Sequence, residues 1–140
     1  DIARLFSDFE PIDESWTREL SSLQTKITDD SIHLALKTGT EEKYLLNLFR
    51  YFIWRYFLKG SFDGEILSKV KFSLVSLLFI KAMCSGRSDL ETWIVKSKLY
   101  SGQMEYSDEN RELFYDYTYE KDCLSSAKLK GLLSSMTPES

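Results

Sequence analysis

The sequence predicts an all-α fold, a single compact bundle of about six or seven helices around a central antiparallel helical hairpin. Apolar residues recur at helical spacing through most of the 140-residue chain, and no stretch shows the strict alternation of a half-buried strand. Capping residues precede several of the periodic segments, as they do at helix starts. The length fits one domain, and we expect residues 1–140 to form a single helical domain.

The predicted hairpin consists of Tyr44–Leu58 and Ile66–Met83. The first of these stretches is rich in aromatic residues, and its plainly polar positions are Asn47, Arg50 and Arg55. A helix that is hydrophobic nearly all round has to be surrounded by protein. We therefore expect both hairpin helices to lie in the middle of the bundle.

Shorter elements precede the hairpin. Ile2–Phe9 has the spacing of a short amphipathic turn, and Asp13 is a good N-cap for a helix that runs to about Lys26. The segment Thr28–Thr40 is the least periodic part of the chain. We expect it to be a loop that holds at most a short helix around Ser31–Leu36.

Capping signals also delimit the hairpin itself. Thr38–Glu41 fits a capping box at the start of the first hairpin helix. Gly60 stands where a left-handed C-terminal cap belongs, and Asp63 is placed to cap the second helix. Glu65 and Lys69 form a favourable i,i+4 pair. The turn of the hairpin is therefore expected between Gly60 and Asp63.

The last third of the chain predicts three more helices. Ser88–Glu91 is a second capping box and opens the first of them. Ser107 is the expected cap of the next helix, which runs to about Tyr119. A last short helix begins at Ser125 or Ser126.

Composition excludes several classes of function. The net charge of −4 and the pI of about 5.1 argue against nucleic-acid binding, which needs a basic surface. The longest apolar run, Leu77–Ile80, is far shorter than the roughly 20 residues of a membrane span. Cys84 and Cys123 lack a metal-ligand spacing, so we expect reduced, buried thiols and no metal site. Without an export signal, the protein is expected to be cytoplasmic.

Charge is distributed unevenly along the chain. Lys43–Lys81 contains seven basic and two acidic residues, whereas Glu105–Asp122 contains seven acidic and two basic ones. Four of these acids fall on one helical stripe: Glu105, Glu109, Glu112 and Asp116. The stripe is either a docking surface for a cationic segment, such as a lysine-bearing protein, or a face that is solvated or paired with the basic hairpin.

Asn110 lies on the opposite, apolar side of the same predicted helix. An unpaired amide is costly to bury, so we expect Asn110 to hydrogen-bond a backbone group or a polar partner such as Arg50 or Arg55. Contact with a ligand is the alternative. The two arginines themselves either pair with acids on a neighbouring helix or hold a carboxylate or phosphate.

Three segments in order resemble the C-terminal region of bacterial flagellin lysine-N-methylase-like proteins. They are Glu41–Leu58 (EEKYLLNLFRYFIWRYFL), the aliphatic helix Ile66–Met83, and Lys98–Leu113 (KLYSGQMEYSDENREL). Glu10–Leu20 is similar to the segment that leads into that region. The resemblance implies transfer of methyl groups from S-adenosylmethionine to flagellin lysines. It also implies a cysteine-rich segment nearer the N-terminus, so we expect a C-terminal fragment whose catalytic centre lies at least partly outside this chain.

The resemblance also points to individual positions, without giving any of them a catalytic role. Tyr106 stands where the family tends to have histidine, so no proton-transfer role carries over to it. Arg50, Arg55, Glu105, Ser107 and Asn110 match the family motifs, and with Glu109, Glu112 and Asp116 they are the candidate substrate or partner contacts.

Two other functions stay open from the sequence. The chain has no complete catalytic constellation, which suits a non-enzymatic helical scaffold or protein–protein interaction domain. An all-helical ligand-binding and dimerisation domain of a transcription regulator is the third possibility.

Overall fold

The computed structural model describes residues 2–28, 39–84, 87 and 89–134. Within these ranges the chain forms a bundle of seven α-helices and no strand, which confirms the predicted all-α fold. Short 3₁₀ turns follow the first and sixth helices, and a π-helix follows the fifth. The helices are α1 (Ile2–Leu5), α2 (Glu14–Thr28), α3 (Gly39–Asp63), α4 (Ile66–Met83), α5 (Leu90–Tyr100), α6 (Asp108–Glu120) and α7 (Ser126–Ser134).

The two longest helices, α3 and α4, form the predicted antiparallel hairpin. Glu41 at the start of α3 pairs with Lys81 at the end of α4, at 3.2 Å, and both side chains are buried. At the turn, Gly60 lies so close to α4 that a Cβ atom on it would stand 3.0 Å from the Cα of Ile66. The hairpin is thus fixed by an ion pair at one end and by a close backbone contact at the other.

Helix α4 is the centre of the bundle. It packs against α2, α3, α5, α6 and α7, and its buried residues point in every direction around its axis. Phe72, Val75 and Ser76 are fully buried, and Phe79 and Ile80 are nearly so. A helix that is apolar all round is expected in such a place. The prediction of central burial therefore holds for α4.

The same prediction is wrong for α3. Its buried residues are Glu41, Phe52, Tyr56 and Gly60, a single stripe that faces α4. On the other side, Trp54 is 73% exposed. The physical reason is that, among the described helices, α4 is the element that packs along the length of α3. The apolar side chains on the other side of α3 are therefore left exposed.

The hairpin turn also differs from the expectation. Helix α3 continues through Gly60 to Asp63, and it is Gly64 that takes the left-handed conformation, with a φ of 77°. Gly60 instead provides the close approach of the two helices. The carboxylate of Asp63 accepts a hydrogen bond from the amide of Glu65, and Lys69 pairs with Asp63 at 3.2 Å rather than with Glu65.

Most of the other expected helix starts are confirmed. The carboxylate of Asp13 accepts a hydrogen bond from the amide of Ser15 at the start of α2. The Ser107 hydroxyl caps α6 by accepting from the amide of Asn110 at 3.2 Å. Helix α5 begins at Leu90 with Asp89 as its N-cap, whereas the predicted capping box began at Ser88. Helix α7 begins at Ser126. The expectations for Ser31–Leu36, Thr38 and Ser88 lie outside the described residues.

Both cysteines carry free thiols. Cys84 is buried, and burial raises the pKa of its thiol to about 12, so it stays protonated at neutral pH. Cys123 is partly buried. None of the helices in the described ranges combines the length and the apolar character that a membrane span needs.

Candidate functional site

The π-helix between α5 and α6 places a carboxylate in the core. Residues Ser101–Glu105 form this wider turn, in which the amide of Tyr106 donates to the carbonyl of Ser101. Glu105 at its end is only 4% exposed. Helix α6 then starts afresh, because Ser107 has an extended backbone. Glu105 therefore does not share a stripe with the acids of α6, because the helical register is broken between them.

Three donors from α3 converge on one oxygen of Glu105. The hydroxyls of Tyr51 and Tyr56 donate to Oε1 at 2.9 and 2.8 Å, and Nε of Arg55 lies 3.4 Å from the same atom. The guanidinium of Arg111 also donates to the backbone carbonyl of Glu105. The buried charge is thus compensated by an arginine and two hydrogen bonds, as a buried carboxylate requires. We call Tyr51, Arg55, Tyr56 and Glu105 the Glu105 cluster.

The two phenols of the cluster are fixed as donors. Burial, reinforced by the hydrogen bond to Glu105, raises the pKa of Tyr51 to about 12. The same two causes raise the pKa of Tyr56 further. A general acid or base is most effective with a pKa near the working pH. Both phenols therefore stay protonated at neutral pH and act as hydrogen-bond donors to Glu105.

A cleft of about 270 Å³ opens beside the cluster. Residues from α3, α4, α5 and the π-helix line it: Leu48, Tyr51, Phe52, Ile80, Ser97, Lys98, Ser101 and Glu105. Among the described residues, no hydrogen bond or ion pair involves Oε2 of Glu105. Aromatic walls beside a carboxylate suit a cationic group. The cleft is therefore a candidate site for a cationic group, although Lys98 in its lining adds a positive charge.

A larger cleft, of about 550 Å³, lies elsewhere, between α1, α2, α4 and α7. Its lining is almost entirely apolar, and its one charged residue, Lys128, is paired with Asp122. None of the candidate residues from the sequence lines it. Recognition needs a few convergent polar groups, so the smaller cleft at Glu105 is the better candidate site.

The side chain of Asn110 hydrogen-bonds the backbone of the N-terminal segment. Its Oδ1 accepts from the amide of Glu10, and its Nδ2 donates to the carbonyls of Glu10 and Gln103, each at 3.0 Å. Gln103 supports the same segment: it donates to the carbonyl of Glu10 and accepts from the amide of Ile12. The expected backbone partner of Asn110 is present, and neither Arg50 nor Arg55 contacts it. Both amide hydrogens of Asn110 are used within the fold.

The three remaining acids of the predicted stripe lie on the surface. Glu109, Glu112 and Asp116 are all exposed on α6, and none forms an ion pair with another described residue. The acid that pairs with Arg55 is Glu105. Arg50 is exposed and has no ion-pair partner in the described ranges. The structure thus divides the candidates into a buried cluster at Glu105 and an acidic face on α6.

Sequence reasoning missed three members of this arrangement: Tyr51, Tyr56 and Gln103. A signal for the tyrosines was available, because each directly follows an arginine in the repeated Arg-Tyr pair of α3. Gln103 gave no comparable signal, because its inward position depends on the π-helix.

The described residues contain no group of three or more His, Cys, Asp or Glu side chains that could hold a metal ion. Comparisons with protein-family models, with curated proteins and with solved structures find no match to this chain.

Proposed function

We propose that this chain is the helical domain of a lysine-N-methylase-like protein and that it binds the lysine-bearing substrate. One observation supports this: the separate segments that resemble that family meet in space. Arg55 of the first segment lies against Glu105 of the last, and Asn110 of the last holds the backbone of Glu10 in the leading segment. A chance likeness between short helical motifs gives no reason for the matched positions to contact one another.

The acidic face of α6 supplies the substrate surface of this proposal. Glu109, Glu112 and Asp116 are exposed carboxylates without an ion pair to another described residue, so a lysine-rich segment gains new pairs there without breaking old ones. Complementary charge of this kind raises the rate of encounter and selects partners. The carboxylate of Glu105 then offers a buried end point for one ammonium group.

S-adenosylmethionine does not fit the cleft at Glu105. This cleft holds only about 270 Å³, and Oε1 of Glu105 already accepts from two hydroxyls and pairs with Arg55. No residue of this chain is assigned to the cofactor. The methyl-transfer centre of the proposal lies at least partly outside the chain.

Binding of purified flagellin tests the acidic face. In the double variant Glu109→Lys/Glu112→Lys we expect the dissociation constant for flagellin to rise by about tenfold or more. The affinity of the wild type should fall as salt is added, because salt screens the charges. The matched control is Glu14→Lys/Glu91→Lys, which reverses two exposed acids on α2 and α5. Equal affinities in the two double variants contradict the docking role.

The second candidate function is a non-enzymatic protein-interaction domain. It is favoured by the exposed aromatic side of α3, on which Trp54 and Phe62 are 73% and 92% exposed. Labelled methyl transfer to flagellin by the full-length gene product distinguishes the two. Transfer that depends on Glu105 supports the methylase, and binding of a protein without any transfer supports the interaction domain.

A further inference from the structure

The side of α3 that faces away from α4 is a single basic and aromatic stripe. Positions 43, 46, 50, 54 and 57 follow one another at spacings of three and four residues, so their side chains share one side of the helix. Leu46, Trp54, Phe57 and Leu58 there are 45%, 73%, 43% and 53% exposed. We define the outer face as Lys43, Leu46, Arg50, Trp54, Phe57 and Leu58.

The basic residues of the outer face form no ion pair with another residue that the structure describes. From Lys43 to Phe62 the helix contains four basic residues and no acidic one. Two of these are occupied, because Arg55 pairs with Glu105 and Lys59 lies over the ring of Tyr56. The other two, Lys43 and Arg50, are exposed and have no ion pair with a described residue. A contiguous apolar patch with unmatched charge within it marks an interaction site.

The position of the charges selects the kind of partner. An interfacial helix keeps its lysines and arginines at the borders of its apolar side, where they reach the lipid headgroups. Here Lys43 and Arg50 lie in line with Trp54, with Arg50 inside the apolar stripe and Lys43 at its N-terminal end. Immersion in acyl chains would bury the charge of Arg50 without a counter-ion. A protein partner can place a carboxylate opposite each of the two residues, so a protein surface is favoured over a lipid surface.

A second copy of this chain is a poor partner through its own outer face or through the acids of α6. Two outer faces set against each other bring basic residues together and offer no acid to separate them. The exposed acids of α6 have the right charge, but Glu109, Glu112 and Asp116 form a row without large apolar neighbours between them. Neither surface offers both carboxylates and apolar side chains at matching spacing.

We propose that the outer face of α3 docks an acidic amphipathic helix of a partner protein. Apolar residues of the partner pack around Trp54 and Phe57, and its carboxylates pair with Lys43 and Arg50. This is packing of one helix against another, in which the contacting side chains recur at helical spacing. Trp54 is the central anchor, since tryptophans near the middle of an interface commonly dominate its affinity. The site is separate from the acidic face of α6 and independent of the methylase proposal.

The probe is a designed helical peptide of about 20 residues, with leucine at the a and d positions and glutamate at the flanking positions. A second peptide carries lysine in place of every glutamate. The whole chain is titrated with each peptide, and circular dichroism verifies that every variant is folded. We expect the wild type to prefer the glutamate peptide by about tenfold or more.

Two variants with matched controls locate the binding. Trp54→Ala should weaken binding of the glutamate peptide about tenfold or more, whereas Tyr119→Ala, which removes a 65% exposed ring on α6, should leave it unchanged. Lys43→Glu/Arg50→Glu should reverse the preference toward the lysine peptide. Arg18→Glu/Lys130→Glu changes the same charge at exposed positions on α2 and α7 and should keep the preference.

Several results overturn the proposal. The first is that the wild type fails to bind the glutamate peptide, and the second is that a variant and its control lose equal affinity for it. The third is that the chain associates with itself, or with anionic phosphatidylserine vesicles, and that Trp54→Ala abolishes this association. The variant Glu109→Lys/Glu112→Lys should bind the glutamate peptide as the wild type does. Loss of flagellin binding in that variant, with peptide binding retained, separates the two surfaces.

Discussion

Helices α3 and α4 have similar apolar composition but very different surroundings. Helix α4 is covered by five other helices, whereas α3 buries a single stripe against α4 and exposes Trp54 and Phe62. The number of helices that pack on a segment depends on the whole fold, and it cannot be predicted from the sequence of that segment alone. Apolar composition shows that a surface gains from being covered, and it leaves open whether the same chain covers it.

Polar residues follow the same division. In α4 each buried lysine has a partner: Lys69 lies 3.7 Å from the ring centroid of Tyr115, Lys71 donates to the carbonyl of Thr118, and Lys81 pairs with Glu41. In α3 the arginines are at the surface, and among the described residues an acid pairs with Arg55 but not with Arg50. Burial of a charge requires such partners, whereas exposure does not.

The largest expected effect comes from truncating one aromatic side chain in each helix. Phe72 on α4 is fully buried and packs edge-on against Phe52 and Tyr56, so Phe72→Ala should lower the free energy of unfolding by about 4 kcal/mol. Trp54→Ala on α3 should change it by less than about 0.5 kcal/mol. Urea titration followed by circular dichroism measures both. Equal losses would show that the outer face of α3 is covered in solution.

The next largest effect concerns the ion pair that joins the two helices. Lys81→Met leaves the buried Glu41 carboxylate without its lysine and should destabilise the fold by about 3 kcal/mol. The double variant Glu41→Leu/Lys81→Met removes both charges and should recover much of that loss. Chemical denaturation of the four proteins in the cycle gives the coupling. A double variant as unstable as the sum of the single ones contradicts a direct pairing.

A smaller effect is expected where the helices come closest. A Cβ at Gly60 would stand 3.0 Å from a backbone atom of Ile66, so Gly60→Ala should destabilise the fold by about 1 kcal/mol despite the better helix propensity of alanine. Gly131 on α7 has open space around the same position, and Gly131→Ala should stabilise by up to about 1 kcal/mol. Thermal unfolding of the two variants should shift in opposite directions. A higher unfolding temperature in both variants would indicate that α3 and α4 are further apart at Gly60 than described.

The smallest effect is the loss of folding free energy at alkaline pH. The pKa of Tyr51 is raised from 10.0 to about 12 in the folded state by burial and by Glu105, so its contribution is complete below pH 10 and is lost as the pH rises through 12. Solvent screens this partly exposed phenol, which keeps the effect small. In Glu105→Gln the pKa of Tyr51 should fall toward 10. Magnetic resonance of isotope-labelled tyrosines, assigned with Tyr51→Phe, follows the titration, and an unmoved pKa contradicts the hydrogen bond.

Local chemistry predicted the helices well. The periodicity and the caps at Asp13 and Ser107 depend on neighbouring residues in the chain, and both caps are found at helix starts. The inward position of Asn110 follows from the same periodicity. These features could be read from the sequence because the interactions that produce them span only a few residues.

Features that depend on distant residues could not be read in this way. Counting along a regular helix placed Glu105 beside Glu109, but the π-helix and the extended Ser107 break that register. Gly60 was interpreted as a helix end, although its role is to allow α4 to approach. For Gly60 the decisive contact comes from a different helix, and the buried position of Glu105 is matched by the hydroxyls of Tyr51 and Tyr56 on α3.

The amides that hold the N-terminal segment have a consequence for the order of folding. Glu10 is held by Gln103 and Asn110, which lie 93 and 100 residues further along the chain. Contacts of such long sequence separation form late, because the intervening chain has to be ordered first. The segment before α2 therefore docks only once the π-helix and α6 are in place. Protection of the Glu10 and Ile12 amides against hydrogen exchange then reports on the integrity of the far end of the molecule.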